Sequence, residues 1–236
     1  MPTAIITGAA SGIGRATALK LAARNYHLAL AGRTQSTLQK VAEEIAATGA
    51  PAALVVPTDV SREKDIANLI QKTHDKFGRI DVLVNNAGLA PSMPTVDVTP
   101  EQWHAILDTN LSSAFYATRL VWPIMKSQPA GGVIINISSM AAKDPFPGLG
   151  AYAVAKAGIN MLTLITAREG APHNIRVVAI APSATDTPMF RNLVGEANVH
   201  PEQILKPENI ADAILSAIDG PLQYASGDTI YLHKNA

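Results

Sequence analysis

Three side chains that can move a proton occur close together in the sequence. Tyr152 and Lys156 are four residues apart in Tyr-Ala-Val-Ala-Lys, and Ser139 lies thirteen residues before the tyrosine. Positions i and i+4 of a helix share one face, so the ammonium can approach the phenol. A free tyrosine has a pKa of about 10, and a nearby cation favours the phenolate and lowers that pKa. The spacing therefore predicts a phenol that protonates an alkoxide or deprotonates an alcohol, with Ser139 holding the same oxygen.

The Tyr-x-x-x-Lys spacing alone also fits a surface pair on an amphipathic helix, because the chain has five tyrosines to place. A second feature has to explain why a proton would be transferred, and the N-terminus supplies one. Residues 3–7 form a short apolar run typical of a strand, residues 8–14 read Gly-Ala-Ala-Ser-Gly-Ile-Gly, and residues 15–24 have helical spacing. Strand, glycine-rich turn and helix in this order predict a dinucleotide-binding turn, the alternative being a plain loop. It is not a P-loop, since no Lys-Ser/Thr follows the last glycine.

Together these motifs resemble the short-chain dehydrogenase/reductase family over nearly the whole chain. The motifs that carry the resemblance, in order, are Thr7-Gly-Ala-Ala-Ser-Gly-Ile-Gly14, Asp59, Asn85-Asn-Ala-Gly88, Asn110, Ser139 and Tyr152-Ala-Val-Ala-Lys156. The resemblance implies a single Rossmann-type domain over residues 1–236. It also implies transfer of a hydride between a nicotinamide nucleotide and a carbonyl/alcohol pair.

Alternating strand-like and helical segments predict an α/β fold, a doubly wound parallel sheet of about seven strands with helices on both faces. The predicted strands are 3–7, 27–32, 52–57, 80–85, 132–138, 174–181 and 228–232. The predicted helices are 13–24, 35–47, 62–77, 100–127, 151–169 and 207–218. We expect Pro123 to kink or end part of the long helix. The segment 186–206 is predicted to be a loop with one short helix, where the family carries a substrate lid.

Composition excludes several classes of function. Nineteen basic and nineteen acidic residues balance and are scattered, so we expect no nucleic-acid or membrane partner. There is no cysteine, and the six histidines show no metal-ligand spacing, so we expect no metal site. The first predicted strand leaves no room for a signal peptide, and we expect a cytoplasmic protein.

The end of the second predicted strand indicates which nucleotide is bound. An acidic residue there would bind a ribose 2′-hydroxyl, but the sequence has Gly32 followed by Arg33. A guanidinium suits a 2′-phosphate, so NADP(H) is preferred and NAD(H) is possible. The alternative is an Arg33 that faces solvent and holds no ligand.

The resemblance also implies roles for individual residues. Asp59 and Val60 would contact the adenine, Asn110 would kink its helix and hold a water bonded to Lys156, and Lys156 would also bind the nicotinamide ribose. From the residues alone, Asp59 could instead be a helix N-cap, with Ser61 the better candidate, and Asn110 could make only a local bond. The implied catalytic residues are Asn110, Ser139, Tyr152 and Lys156. The implied nucleotide-binding residues are Gly8, Ser11, Gly12, Ile13, Gly14, Arg33, Asp59, Val60, Asn86, Ala87, Gly88, Tyr152, Lys156, Pro182 and Thr187.

Two departures from the family's pattern fall in the second half. Ser183 stands where a glycine is usual, and the C-terminus lacks the common Asp-Gly-Gly ending. Candidate substrate residues are mostly apolar and favour an uncharged ketone or aldehyde, although several could simply pack the core. These candidates are Met140, Phe146, Leu149, Ser183, Met189 and Phe190.

The leading hypothesis is an NADPH-dependent ketone or aldehyde reductase acting on a small molecule. A 3-oxoacyl-thioester reductase is the alternative within this class, and a nucleotide-sensing or scaffold protein with little turnover is the alternative outside it. By resemblance we expect a homo-oligomer, a tetramer or dimer, formed through the helices near 100–127 and 151–169.

Overall fold

The computed structural model describes residues 1–198, 200 and 202–234. It confirms the predicted α/β class, because the strands form one parallel, seven-stranded sheet. The strands are β1 (Thr3–Thr7), β2 (His27–Gly32), β3 (Leu54–Pro57), β4 (Val82–Asn85), β5 (Gly132–Ile137), β6 (Ile175–Pro182) and β7 (Thr229–Leu232). Their order across the sheet is β3-β2-β1-β4-β5-β6-β7.

Helices connect the strands. They are α1 (Gly12–Ala22), α2 (Gln35–Ala47), α3 (Glu63–Phe77), α4 (Pro100–Leu107), α5 (Ser113–Ser127), α6 (Gly150–Gly170), α7 (Pro188–Val194) and α8 (Pro207–Asp219), with a π-helical turn at Asp108–Ser112 between α4 and α5. Short 3₁₀ turns lie at Thr95–Asp97, Met140–Ala142, Ala171–His173 and Glu196–Asn198. Among the described residues, no helix is long and apolar enough to cross a bilayer.

Each face of the sheet has its own core because successive strand residues point to opposite faces. Ile6 packs in one cluster with apolar residues of α1, α2 and α8, whereas Ile5 packs in the other with residues of α3 and α5. Both isoleucines are fully buried. Burial on both faces explains why these strands read as continuous apolar runs rather than alternating ones.

The sheet order reverses at its centre, and this reversal locates the site. β1 pairs in parallel with both β2 and β4, so the connections before and after it run to opposite sides. In such sheets a crevice opens at the carboxyl ends of the strands, where the order reverses. The glycine-rich turn follows β1 at this point, and the Asn85-Asn86-Ala87-Gly88 segment ends β4 beside it.

The long predicted helix 100–127 is interrupted, but not at Pro123. Pro123 lies inside α5 on an exposed position, where water can reach the carbonyl that loses its partner. The break occurs instead at the π-helical turn that contains Asn110. Inserted polar side chains and π turns are known causes of such breaks, and the Asn110 side-chain amide donates back to the Ile106 carbonyl of α4 (2.9 Å).

The one short helix predicted within the segment 186–206 is present as α7, and the turn Glu196–Asn198 follows it. Positions 199 and 201 of the predicted lid lie outside the described residues. Thr187 caps α7 by accepting a hydrogen bond from the Phe190 amide (3.2 Å). Arg191 then holds both Asp186 (2.6 and 3.0 Å) and Glu196 (2.6 Å). These contacts fix α7 beside the crevice.

Candidate active site

The glycine-rich turn takes a path that only glycine allows. Gly8 and Gly12 have φ angles of +65° and +51°, in the left-handed region that L side chains disfavour. A Cβ at Gly14 would collide with the Gly8 carbonyl oxygen and would lie 2.6 Å from the Asn86 amide nitrogen. The turn is therefore a cradle of bare backbone at the start of α1, as a pyrophosphate requires.

Thr7 and Asn86 join this turn to the end of β4. The Asn86 side-chain amide donates to the carbonyls of Thr7 (2.8 Å) and Gly8 (3.2 Å). The Thr7 hydroxyl accepts from the backbone amides of Asn86 (2.9 Å) and Ala87 (3.0 Å). Thr7 was absent from the predicted site residues, and its place directly before Gly8 is the signal that could have found it.

A first cavity of about 330 Å³ lies over the turn. It is lined by eleven of the predicted nucleotide-binding residues, namely Gly8, Ser11, Gly12, Ile13, Arg33, Asp59, Val60, Asn86, Ala87, Gly88 and Thr187. Gly14 lies behind the turn in contact range of Gly8, while Tyr152, Lys156 and Pro182 line the adjoining cavity. The glycine cradle and this lining fit a dinucleotide.

Two charged residues, Asp59 and Arg33, stand on the wall of this cavity. The Ser61 hydroxyl donates to the Asp59 carboxylate (2.7 Å), and this bond is the main reason that the pKa of Asp59 lies below its ordinary value. The charges of Arg62 and Arg33 lower it further. The suggestion that Ser61 caps α3 is wrong, because Arg62 occupies the N-cap position and Ser61 instead bonds Asp59.

Asn110 is buried at 2% exposure and holds the segment after β4. Its side-chain amide donates to the Leu89 carbonyl (2.8 Å), and its oxygen accepts from the Leu89 amide (3.2 Å). A Cβ added to Gly88 would lie 2.8 Å from the Asn110 oxygen and 3.8 Å from the Lys156 ammonium. Asn110 and Lys156 thus approach Gly88 together, where only a glycine fits.

A second cavity of about 380 Å³ adjoins the first and shares part of its wall. All four predicted catalytic residues and all six predicted substrate residues line it, namely Asn110, Ser139, Met140, Phe146, Leu149, Tyr152, Lys156, Ser183, Met189 and Phe190. The predicted catalytic and substrate residues thus lie around one space, while their roles stay predictions. Leu149 is buried and also packs the core, whereas Phe146 is 74% exposed.

Burial shifts the pKa values of both Tyr152 and Lys156. The Lys156 nitrogen lies 5.6 Å from the centre of the Tyr152 ring and donates to the Ile137 carbonyl (2.7 Å). Burial lowers the pKa of Lys156 to about 8. Burial also raises the pKa of Tyr152, and hydrogen bonding with Ser139 opposes this only in part. The predicted net lowering of the Tyr152 pKa is wrong, because desolvation outweighs the opposing effect of the hydrogen bond with Ser139.

Comparison with known proteins agrees with this geometry. Residues 2–198 match the family described as short chain dehydrogenase. The chain is 38% identical to a 3-oxoacyl-[acyl-carrier-protein] reductase of Synechocystis sp., covering 96% of this chain and 93% of that protein. It is 34% identical to a short chain dehydrogenase/reductase of Aspergillus oryzae, covering 96% and 91%. The chain belongs to the short-chain dehydrogenase/reductase family.

Solved structures support the same assignment. A 3-ketoacyl-(acyl-carrier-protein) reductase from Brucella melitensis, complexed with NADH, superposes with a TM-score of 0.90 at 31% identity, covering 98% of this chain and 96% of that one. Levodione reductase superposes with a TM-score of 0.91 at 29% identity, covering 98% and 96%. As a member of the short-chain dehydrogenase/reductase family, the protein is an NAD(P)-dependent oxidoreductase.

Ser183, where the family usually has glycine, fits without strain. The Ser183 amide donates to the Leu232 carbonyl (2.8 Å), and its carbonyl accepts from the Thr185 hydroxyl (2.9 Å). Its φ angle is not positive, so the position does not need the freedom of glycine. Serine here extends the pairing of β6 with β7.

The polar rim of the second cavity was missed. Asp144, Gln203, His233 and Lys234 line it in addition to the predicted residues. They come from the segment after β5, the lid segment and the C-terminus, which are far apart in sequence. The departure from the family's Asp-Gly-Gly ending was the available signal for His233 and Lys234.

Proposed function

We propose that this protein is an NADPH-dependent reductase of ketones or aldehydes. The observation that carries the proposal is the second cavity, where Ser139, Tyr152 and Lys156 face one mostly apolar space beside the nucleotide-sized cavity. An apolar cavity with a few convergent polar groups favours an uncharged organic substrate.

The proposed chemistry assigns one task to each side chain. The glycine-rich turn and the wall of the first cavity would hold a nicotinamide nucleotide, which would supply the hydride for the carbonyl carbon. Tyr152 donates the proton that the carbonyl oxygen gains, and its raised pKa keeps the phenol protonated at neutral pH. Ser139 donates a hydrogen bond to the same oxygen and stabilises its developing negative charge. The products are an alcohol and the oxidised nucleotide.

Lys156 contributes charge close to the phenol. With a pKa of about 8 the ammonium is largely protonated at pH 7, and its burial at 4% exposure strengthens its field. It favours the phenolate that remains after proton donation, and it would hold the nicotinamide ribose hydroxyls. Asn110 would hold the segment around Gly88 and Leu89 against the nucleotide.

Preference for NADP(H) over NAD(H) is supported by the charge at the end of β2. Arg33 is exposed and lines the first cavity, and Gly32 leaves no carboxylate to repel a phosphate. Asp59, the acidic residue on the wall of this cavity, interacts with both Ser61 and Arg33. A 2′-phosphate would find a cation at the position where NAD-binding relatives of this fold carry an acid.

A second candidate function is reduction of a 3-oxoacyl thioester. The Synechocystis protein and a Thermotoga maritima protein, 35% identical to this chain, both bear the name 3-oxoacyl-[acyl-carrier-protein] reductase. The apolar lining suits an acyl chain as well as a free ketone. Substrate tests decide between the two.

The proposal is tested by following NADPH consumption with ketones, aldehydes and 3-oxoacyl thioesters. We expect turnover with at least one class, and we expect Tyr152→Phe to lower kcat by about 10²- to 10⁴-fold while the NADPH Kd stays unchanged. Tyr224→Phe removes a hydroxyl from an 87% exposed tyrosine and is the matched control. Full activity of Tyr152→Phe would remove Tyr152 from the mechanism. NADPH binding without turnover would favour a nucleotide sensor.

We also propose that the chain forms a homo-oligomer through α5 and α6. Phe115, Val154, Met161 and Ile165 expose 48%, 52%, 63% and 45% of their surface on these helices. The three residues of α6 are spaced by seven and four positions and so share one face. A second copy of this two-helix surface would cover them about a two-fold axis. Sedimentation velocity of the purified chain distinguishes monomer, dimer and tetramer.

The cytoplasmic location stays a prediction.

A further inference from the structure

A chain of hydrogen bonds links three elements behind the second cavity. The Ser138 hydroxyl donates to the Asn160 side-chain oxygen (2.6 Å), and the Asn160 amide donates to the Tyr231 hydroxyl (3.1 Å). Ser138 directly follows β5, Asn160 lies on α6, and Tyr231 lies on β7. The proposed mechanism uses none of these three side chains.

Each member of this chain adjoins a residue of the proposed mechanism. Ser138 precedes Ser139, and Asn160 lies one helical turn after Lys156 on α6. The Ser138 hydroxyl also lies 3.3 Å from the Lys156 carbonyl oxygen. Ser138 is only 1% exposed, so water cannot easily replace a lost partner.

Tyr231 holds the serine segment at its other end as well. The Lys143 ammonium lies 5.4 Å from the centre of the Tyr231 ring, a cation–π distance. Lys143 ends the 3₁₀ turn Met140–Ala142, whose N-cap is Ser139. Tyr231 is therefore linked to the segment 138–143 at two points, indirectly to Ser138 through Asn160 and directly to Lys143 through its ring. Ser139 lies between these two attachments.

We propose that Tyr231, acting through Asn160, is a positioning residue that holds Ser139 in register with Tyr152 and Lys156. This inference rests on the proposed function of those three residues. Ser139 lies two residues after β5, whereas Tyr152 and Lys156 lie on α6. The distance from Ser139 to the other two side chains therefore depends on the contacts that join β5 to α6. Small misplacements of catalytic groups cost large factors in rate. The last strand thus reaches the reaction centre without touching the substrate.

The first test is Tyr231→Phe, which deletes the hydroxyl but keeps the ring beside Lys143. We expect kcat to fall about tenfold, with the NADPH Kd within about twofold of the wild type, because the nucleotide cavity is not part of the network. Tyr224→Phe is the matched control and should leave kcat unchanged. An unchanged kcat in Tyr231→Phe, or a fall in thermal stability alone, would overturn the proposal.

A double-mutant cycle distinguishes a shared network from independent losses. If Ser138 and Tyr231 act through one chain of bonds, Ser138→Ala with Tyr231→Phe should be no slower than the slower single variant. Multiplied losses would overturn the proposal. If Tyr231→Phe does not fold, Lys143→Met is the test instead. It removes the cation–π contact between Lys143 and the Tyr231 ring, and Lys143 is exposed, so the fold should tolerate the change. A two- to threefold loss of kcat at unchanged melting temperature then supports the proposal, and wild-type kcat overturns it.

The outcome is separable from that of the proposed function. If Tyr152→Phe is inactive and Tyr231→Phe is fully active, only the positioning role fails. If Tyr152→Phe retains full activity, the mechanism itself fails, whatever Tyr231→Phe does.

Discussion

The two adjoining cavities are built in different ways. The first is built around the glycine-rich turn that follows β1, and residues after β2, β3 and β4 and at the start of α7 complete its wall. The second is walled by side chains that arrive from β5, α6, the lid segment and the C-terminus. A local motif therefore specifies the central turn of the first cavity, whereas no single motif specifies the second.

The difference also appears in the energetics. Beside the first cavity, short hydrogen bonds from the Asn86 side chain to the carbonyls of Thr7 and Gly8 join the turn after β1 to the end of β4. In the second, a lysine is buried at 4% exposure, and its pKa falls to about 8. Burial of a charged group is unfavourable unless it is compensated. The hydrogen bonds beside the first cavity thus stabilise the fold, whereas the second cavity contains a charged group whose burial opposes folding.

The largest expected effect tests the rigidity of the first cavity. Gly14→Ala places a Cβ against the Gly8 carbonyl and 2.6 Å from the Asn86 amide, neither of which can move without breaking the turn. We expect NADPH affinity to fall by more than about 100-fold or the protein to be largely unfolded. Fluorescence titration with NADPH, together with circular dichroism, measures both.

Gly49→Ala is the control for this substitution. Gly49 has φ of +79° but no neighbour within 4 Å of an added Cβ, so its alanine variant carries backbone strain without a collision. We expect normal NADPH affinity and a small loss of stability. Equal behaviour of the two variants would show that the cradle tolerates a side chain.

A smaller effect is expected at the edge of the first cavity. Arg33→Asp replaces a cation with an anion where a 2′-phosphate would lie, so the NADPH KM should rise about 30-fold while the NADH KM changes less than about twofold. Steady-state kinetics with both nucleotides measures this. Arg168→Asp makes the same change of charge on an exposed part of α6 and should affect neither. A parallel rise for both nucleotides would place Arg33 outside phosphate recognition.

The contrast between the cavities explains what the sequence could and could not reveal. Alternating segments predicted the sheet because parallel strands are apolar on both faces, and one glycine motif predicted the turn at the centre of the first cavity. The break at Asn110 rather than Pro123 was less visible, because a helix tolerates a proline whose free carbonyl faces water. The strands predicted at 52–57 and 80–85 begin two residues later, at Leu54 and Val82.

Side chains that arrive from distant segments were harder to predict. His233 and Lys234 reach the second cavity only because β7 pairs with β6, a contact that no local pattern encodes. The sign of the Tyr152 pKa shift was missed for a similar reason. Spacing places a cation near the phenol, but only the folded structure shows that both groups are desolvated.

The last prediction concerns the buried charge of the second cavity. The pKa of Lys156 is about 8 in the folded protein and takes its ordinary value of 10.5 in the unfolded chain. Below pH 8 the ammonium is charged in both states, and the full penalty for its burial is present. Between pH 8 and 10.5 the unfolded chain binds more protons, so stability rises with pH, and above 10.5 the penalty is gone.

Lys156→Met removes this ionisation and should stabilise the nucleotide-free protein by about 2 kcal/mol at pH 7, after allowance for the lost hydrogen bond to Ile137. The gain should disappear as the pH approaches 10.5. Urea denaturation at pH 7, 9 and 10.5 measures the difference, with Lys40→Met, an exposed lysine on α2, as the control that should show no such trend. A Lys156→Met variant less stable than the wild type at pH 7 would mean that the ammonium supports the fold. In that case the residues around both cavities would stabilise the fold, and the contrast between the two cavities would disappear.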